Sequence, residues 1–405
     1  MYRCTMKIHL TALAAACLLA ACGGGDGDGA NTPATQPKLE YLTGTLDWRD
    51  TLCRNDDDAL SAARYHLIER IYVLQGQVFL LDTYAPQSES HCDRPDSASF
   101  IRPIRDGQAR RWLWGGQLSV FPYHSYDRPG GLFFDAQGIP HVLSHSLTTQ
   151  DARYVVREAD YQISYIARRG PGVTRHRLHD GTYESGRLFD GRVAGIPLDW
   201  RPAAHEQGFS QVMAVRDGQG NAARFYAPHS LETGGDGLHY FIDKGLLRSL
   251  DAQLNVRTLQ GSLVDPIQAA ASAIDLAVDE RGQVHALAWQ DGLLLWLNLM
   301  DGTAHRFALP AGYADPRLAL AVHRGELLLA VRERSDGPAH WSSLYRVAPG
   351  AAPQLLLGGE KLPQTPEDFM QHPSQYKLPN LRHLEVSADG VLYLSLTKAV
   401  VKLQL

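Results

Sequence analysis

A strand–turn–strand unit that recurs about every forty residues constrains this chain more than any other feature. Its clearest copy runs from Ile274 to Leu309. Ile274–Asp279 alternates as a strand does, Glu280–Gly282 supplies a turn, and Val284–Trp289 reads as the hairpin partner. Leu293–Leu299, the turn Asp301-Gly302 and His305–Leu309 complete a four-stranded antiparallel unit, the size of one propeller blade. Leu318–Leu357, Val212–Leu250, Gly131–His145 and Ile71–Tyr84 repeat all or part of it, while Val173–Trp200 fits least well. Leu384–Leu405 offers only three strands, and Leu39–Trp48 is a strand left over at the start. A ring of sheets must close, so the early strand is expected to complete the last blade. The expectation is an all-β chain forming a single β-propeller over residues 39–405, of about seven blades, closed by its N-terminal strand. An irregular β-sandwich array and a six- or eight-bladed ring stay open.

The strand–Asp-x-x-Gly–strand hairpin, as in Asp279–Gly282 and Asp217–Gly220, resembles the NHL-like propeller repeats. That resemblance covers most of the chain through a short motif and implies the same ring of blades. One segment departs from the β pattern. Asn55–Asp58 precedes Ala59–Arg64 as capping residues precede a first helical turn, which predicts a short helical insert. The acidic run is read as satisfying free amides at that turn rather than as a metal site.

Met6–Ala21 is an apolar, alanine-rich run behind Arg3 and Lys7, too short to span a bilayer as a permanent helix. It ends in Leu19-Ala20-Ala21-Cys22, which resembles the lipobox of bacterial lipoproteins. The resemblance implies a signal peptide over 1–21 and lipidation of Cys22. Gly23, in place of the aspartate that holds such proteins at the inner membrane, implies an outer-membrane anchor facing the periplasm. Residues 22–38 hold no large apolar side chain and read as a flexible tether. Cys4 and Cys17 leave with the signal, so Cys53 and Cys92 remain as a pair in an oxidising compartment, where a disulfide is the expected state. Loss of Arg3 and Lys7 takes the formal charge from −5 to −7, which argues against a nucleic-acid partner.

Chemistry is sparse along the sequence. His141 and His145 stand about 13 Å apart on a strand, and His176 and His179 point to opposite faces, so neither pair ligates one ion. No nucleophile elbow, phosphate loop or zinc-protease helix is present. Lactonase-like propellers hold a divalent ion with Glu, Asn and Asp, but no residue here matches their pattern. Streptogramin-lyase-like propellers use a His and Glu pair, for which His229 and Glu232 are the candidates without an alignment to fix them. No catalytic residue, cofactor or metal site is therefore assigned. Aromatics cluster at Arg111–Trp114 and at Phe121–Arg128, and the second run is too broken for a strand interior and reads as a loop. They nominate Trp112, Trp114, Tyr123, His124, Tyr126 and Arg128 as a binding surface, since such side chains combine contact area with polar handles. The expected function is an outer-membrane-anchored binding or scaffold lipoprotein whose partners are the membrane and a protein or envelope component, with immunity against a periplasmic toxin as one version. The alternative is a propeller hydrolase or lyase with a divalent ion in its channel.

Overall fold

In the computed structural model, six antiparallel sheets follow one another along residues 37–405, which form one unit. The structure describes residues 38–49, 58–84, 98–110, 112–115, 117–120, 123–135, 138–149, 161–177, 183–195, 215–313, 317–333 and 340–405. The signal peptide, Cys22, the tether to residue 37, Cys53 and Cys92 lie outside them.

The chain opens with β1 (Glu40–Gly44). Blade 1 holds β2 (Asp58–Ala59), β3 (Ile68–Leu74), β4 (Gln77–Tyr84), β5 (Ala98–Arg105), β6 (Gln108–Ala109) and β7 (Leu113–Gly115). Blade 2 holds β8 (Gln117–Val120), β9 (Tyr123–Phe134), β10 (Pro140–Thr149), β11 (Tyr161–Arg177) and β12 (Tyr183–Gly195). Blade 3 holds β13 (Gly218–Gln219), β14 (Pro228–Thr233), β15 (His239–Asp243), β16 (Leu246–Leu250) and β17 (Asn255–Thr258). After helix α1 (Asp265–Ala270), blade 4 runs through β18 (Ala273–Val278), β19 (Val284–Gln290), β20 (Leu293–Asn298) and β21 (Ala304–Phe307). Blade 5 is β22 (Arg317–His323), β23 (Glu326–Arg332), β24 (Trp341–Val347) and β25 (Gln354–Leu357); helix α2 (Pro366–Gln371) follows, then β26 (Leu378–Pro379) returns to β24. Blade 6 is β27 (Leu381–Val386), β28 (Val391–Leu396) and β29 (Ala399–Gln404).

The innermost strands β3, β9, β14, β18, β22 and β27 are neighbours in that order, and β27 returns to β3, so the sheets close a ring. The N-terminal strand completes the last blade as expected. β1 lies antiparallel beside β29, with Glu40 opposite Lys402 and Gly44 opposite Ala399, in the order β1-β29-β28-β27. Gly44 takes φ +100°, and a Cβ there would sit 2.1 Å from the Lys398 carbonyl oxygen, so only glycine lets the two chain ends come this close.

Because strand side chains alternate, each sheet presents one apolar face to the blade before it and one to the blade after. The core is accordingly a set of clusters between neighbouring blades. Leu320 and Val322 of β22 pack with Ala277 and Trp296 of blade 4, while Ala319 and Ala321 of the same strand pack with Leu384 and Leu392 of blade 6. Ile68, Ile71 and Val400 join blades 1 and 6, and Phe79, Leu132 and Val142 join blades 1 and 2. Each Val, Leu, Ile or Phe among them contributes about 1.5–3 kcal/mol by leaving water. Blades 1 and 3 add a buried ion pair apiece: Arg102 with Asp82 and Arg248 with Asp243, all at 0% side-chain exposure.

Three expectations are corrected. Six sheets close the ring rather than the expected seven blades, because Val173–Trp200 overlaps β11 and β12 of blade 2 instead of founding a blade of its own. Asp58–Ala59 pairs with Gln108–Ala109 as a strand, followed by a turn, so the described part of the proposed helical insert is not helical. The two short α-helices lie elsewhere, α2 opening on a capping box between Thr365 and Asp368 with proline in its first turn. Finally, Tyr123–Arg128 is not a loop but the first half of β9, paired with His145–Thr149 in β10.

Candidate functional site

The innermost strands are apolar sequences interrupted by polar side chains at their inner edge: Arg70 on β3, Ser230 and Glu232 on β14, Asp275 on β18, and His383 and Glu385 on β27. Residues two apart on a strand share a face, which is how His383 and Glu385 both turn toward blade 1. There His383 Nδ1 accepts from Ile71 N–H at 3.3 Å and a Glu385 oxygen accepts from Val73 N–H at 3.4 Å. On β14 the register shifts between His229 and Glu232 and Ser230 takes φ +52°. Such a bulge re-aims side chains, and here Ser230 and Glu232 both meet Arg70.

Arg70 reaches across the ring from blade 1. Its Nη2 donates to Glu232 Oε1 at 2.6 Å, its Nη1 donates to Ser230 Oγ at 3.1 Å, and Nη1 lies 3.6 Å from Asp275 Oδ1. Ser230 Oγ donates in turn to Asp275 Oδ1, and Asp275 Oδ2 accepts from Leu320 N–H at 3.2 Å. Four blades thus converge on one polar knot. Side-chain exposure there is 10% for Arg70, 12% for Glu232 and 7% for Asp275.

Three carboxylates face one guanidinium at that knot. Burial and the charge of Glu232 push the Glu385 carboxyl well above the usual range. Burial raises Glu232 as well, against the pull of Arg70. Burial and then Arg70 hold the His383 imidazole well below its ordinary value, and desolvation lowers His229, whose Nδ1 lies 3.1 Å from Ser230 Oγ. One potential ligand atom from each of Glu232, His383 and Glu385 lies within 4.8 Å of the others. Two carboxylate oxygens and an imidazole nitrogen form a donor set suited to a divalent cation. Because His383 Nδ1 accepts from the Ile71 amide, the neutral ring carries its proton on Nε2, and an ion would take the Nδ1 lone pair in place of that long 3.3 Å bond. The residues therefore fit such an ion, which would supply the positive charge that the raised Glu385 carboxyl lacks.

Of the residues singled out in the sequence, His229 and Glu232 reach this centre. Of the six aromatic-run residues, Trp112 alone has a described side chain, and it lies elsewhere. Trp112 is half-buried and packs against Phe79 and Phe134 between blades 1 and 2. Trp114 sits on β7 opposite Phe100, and Tyr123, His124, Tyr126 and Arg128 sit on β9; the side chains of these five lie outside the described residues. His141 serves the fold, its Nε2 2.9 Å from Asp135 Oδ2 and its ring stacked on Phe133 at 4.9 Å. Arg70, Asp275, His383 and Glu385 were missed. Their signal is a charged residue set at the inner strand of an otherwise apolar unit, as in Ile274-Asp275-Leu276 and Leu384-Glu385-Val386.

No family model matches the sequence, and no curated protein matches it. Among solved structures, an auxiliary nutrient binding protein from Bacteroides thetaiotaomicron is similar at 8% identity and TM-score 0.45, covering 90% of this chain and 75% of that one. Virginiamycin B lyase from Staphylococcus aureus is similar at 9% identity and TM-score 0.36, covering 86% and 98%. A protein described as a putative gluconolactonase is similar at 12% identity and TM-score 0.34, covering 90% and 97%.

Proposed function

We propose that this protein is a lipid-anchored envelope propeller, held at the outer membrane through Cys22 and facing the periplasm, that acts at the centre of its ring as a cation-dependent hydrolase or lyase. One observation carries the reading: Glu232, His383 and Glu385 bring their ligand atoms within 4.8 Å of one another beside Arg70 and Asp275. Burying that much charge costs several kcal/mol per ion before pairing offsets it.

Glu232, His383 and Glu385 would hold the ion, which supplies Lewis-acid polarisation of a substrate carbonyl or developing oxyanion. Arg70, fixed by Glu232 and Ser230, presents a cation that orients an anionic or polar substrate beside them. Asp275 anchors Ser230 and so holds the β14 bulge in place. His229 is kept neutral by its lowered pKa, is exposed on β14, and is the group placed to take up or return a proton.

The test is calorimetric titration of the metal-stripped protein with Zn2+, Mn2+, Ca2+ and Mg2+ in turn. One ion per chain is expected, weakened tenfold or more by H383A and by E385Q. No saturable binding of any of the four up to millimolar concentration would overturn the reading.

A second reading rests on blade 2. Its β11 and β12 span 17 and 13 residues, against 4 to 7 for the strands of blade 4, and Arg169–Arg177 of β11 pairs with β12 alone. Strands that run past their neighbours in the blade offer docking surface for a protein or envelope partner, the scaffold or immunity role.

A further inference from the structure

A second site is built between blades 5 and 6 at the end where their inner strands begin. Arg317 opens β22 and stands directly opposite Arg332, the last residue of β23. Like charges in directly opposed positions repel. Arg382 occupies the second position of β27, the inner strand of the next blade, and the charges of Arg317 and Arg382 both act on Arg332. Arg332 is the buried member, at 8% exposure, and its hydrogen bond runs from Nη1 to Asn380 Oδ1 at 2.9 Å. Asn380 is itself locked: it takes φ +45°, donates its backbone N–H to His340 O at 2.6 Å, and donates its side-chain N–H to Thr397 Oγ1.

No carboxylate among the described residues forms an ion pair with any of the three arginines. Glu333, the neighbour of Arg332, is taken by Lys377, and Glu69 acts on Arg382 without forming an ion pair with it among the described residues. Burial, then Arg382 and Arg317, bring the Arg332 guanidinium down to about 10. Surface arginines turn outward and are screened; a buried one facing two others has no such outlet. Among the described residues, what the three guanidiniums lack is a paired negative charge.

We propose that Arg317, Arg332 and Arg382, with Asn380 as the positioning residue for Arg332, form an oxyanion-binding site that takes the phosphate or carboxylate group of a ligand. Guanidinium forks match both groups in bidentate fashion, which lysine does not. The site stands on its own residues, none of which touches Glu232, His383 or Glu385 through a hydrogen bond or ion pair among the described residues, so it survives if the cation reading fails.

The test uses the purified protein, stripped of metal on a chelating resin rather than with a soluble polycarboxylate chelator, in low-salt buffer. Inorganic phosphate and acetate are titrated separately by calorimetry and by thermal melting. Saturable binding of at least one is expected, with an upward shift of about 2 °C at tenfold excess over the dissociation constant. R382Q and R317Q should each weaken binding tenfold or more, and R382Q should raise the melting temperature without anion by removing a repulsion. A response to phosphate alone assigns a phosphoryl ligand, and to acetate alone a carboxylate. The proposal is overturned if neither anion binds saturably, or if R382Q lowers the melting temperature and leaves the anion response unchanged.

Discussion

Replacing Arg248 by methionine tests whether the buried ion pairs act as the structure implies. Arg248 Nη1 donates to Asp243 Oδ2 at 2.7 Å and to Arg224 O at 2.9 Å, and Nη2 donates to Arg216 O at 2.8 Å and to Asp217 Oδ1 at 3.0 Å. The guanidinium lies 5.4 Å from the Phe225 ring centre and 5.6 Å from that of Phe241. Methionine fills most of the stem's volume between those rings, so the cavity contribution is small. What remains is electrostatic: Asp243 at 0% exposure loses its counter-charge while its Oδ1 still accepts from Tyr226 N–H and Ala227 N–H. Stranding one member of a buried pair costs about 3–5 kcal/mol. With about 2 cal/mol/K per residue of unfolding entropy over residues 37–405, 4 kcal/mol corresponds to a melting shift of about 5 °C. D243N keeps the acceptor for both amides and costs less. The double variant R248M/D243N should then be about 2 kcal/mol more stable than the two single losses predict, because neither charge is left alone. Denaturant melts of the four proteins give the cycle directly. A loss under about 1 kcal/mol for R248M, or strict additivity, would refute the reasoning.

Three further outcomes are expected. G44A should cost about 3 kcal/mol in denaturant melts, since its Cβ meets the Lys398 carbonyl at a φ of +100°; a loss under about 1 kcal/mol would contradict the tight closure. Burial and then His141 hold the His239 imidazole down at about 4, with the ring 3.7 Å from that of Phe133. The unfolded chain takes up a proton near pH 6.5 and the folded one only near 4, so stability is full above about 6.5 and falls by about 3 kcal/mol as pH drops toward 4; H239N should flatten melting temperature against pH over that range, and an unchanged slope would sink the assignment. Cation uptake by Glu385 displaces a proton held above the usual carboxylate range, so affinity should fall as pH is lowered through that raised value. Titrations in two buffers of different ionisation enthalpy should show the proton release, and E385Q should abolish it.

The ring's closure was legible because it leaves two local marks: three strands at the end and a spare strand, Leu39–Trp48, at the beginning. The hairpin turns were legible too. Asp279 caps its own turn, accepting from Arg281 N–H and Gln283 N–H at 2.9 and 2.8 Å, as an Asp-x-x-Gly sequence implies. The number of blades was misread because a 17-residue strand interrupted by Gly170-Pro171-Gly172 looks like two short ones. A paired signal was passed over: Ala62-Ala63-Arg64-Tyr65 and Ala222-Ala223-Arg224-Phe225 occupy matching places in blades 1 and 3, beneath Arg102 and Arg248. The polar centre was half legible. His229 and Glu232 sit together in sequence, whereas Arg70, Asp275 and Glu385 become neighbours only once the ring brings β3, β18 and β27 around it.

Where β1 lies against β29, the polypeptide is in effect a circle with a nick. Every other join between blades is continuous chain, whereas the nick is mended by the β1–β29 hydrogen bonds, the Glu40–Lys402 ion pair and the packing of Leu39 against Val401 and Leu403. Moving it elsewhere, by linking residue 405 to residue 38 and reopening the chain before β18, for instance, would turn β29 and β1 into a hairpin and leave all six sheets with the strands they have now.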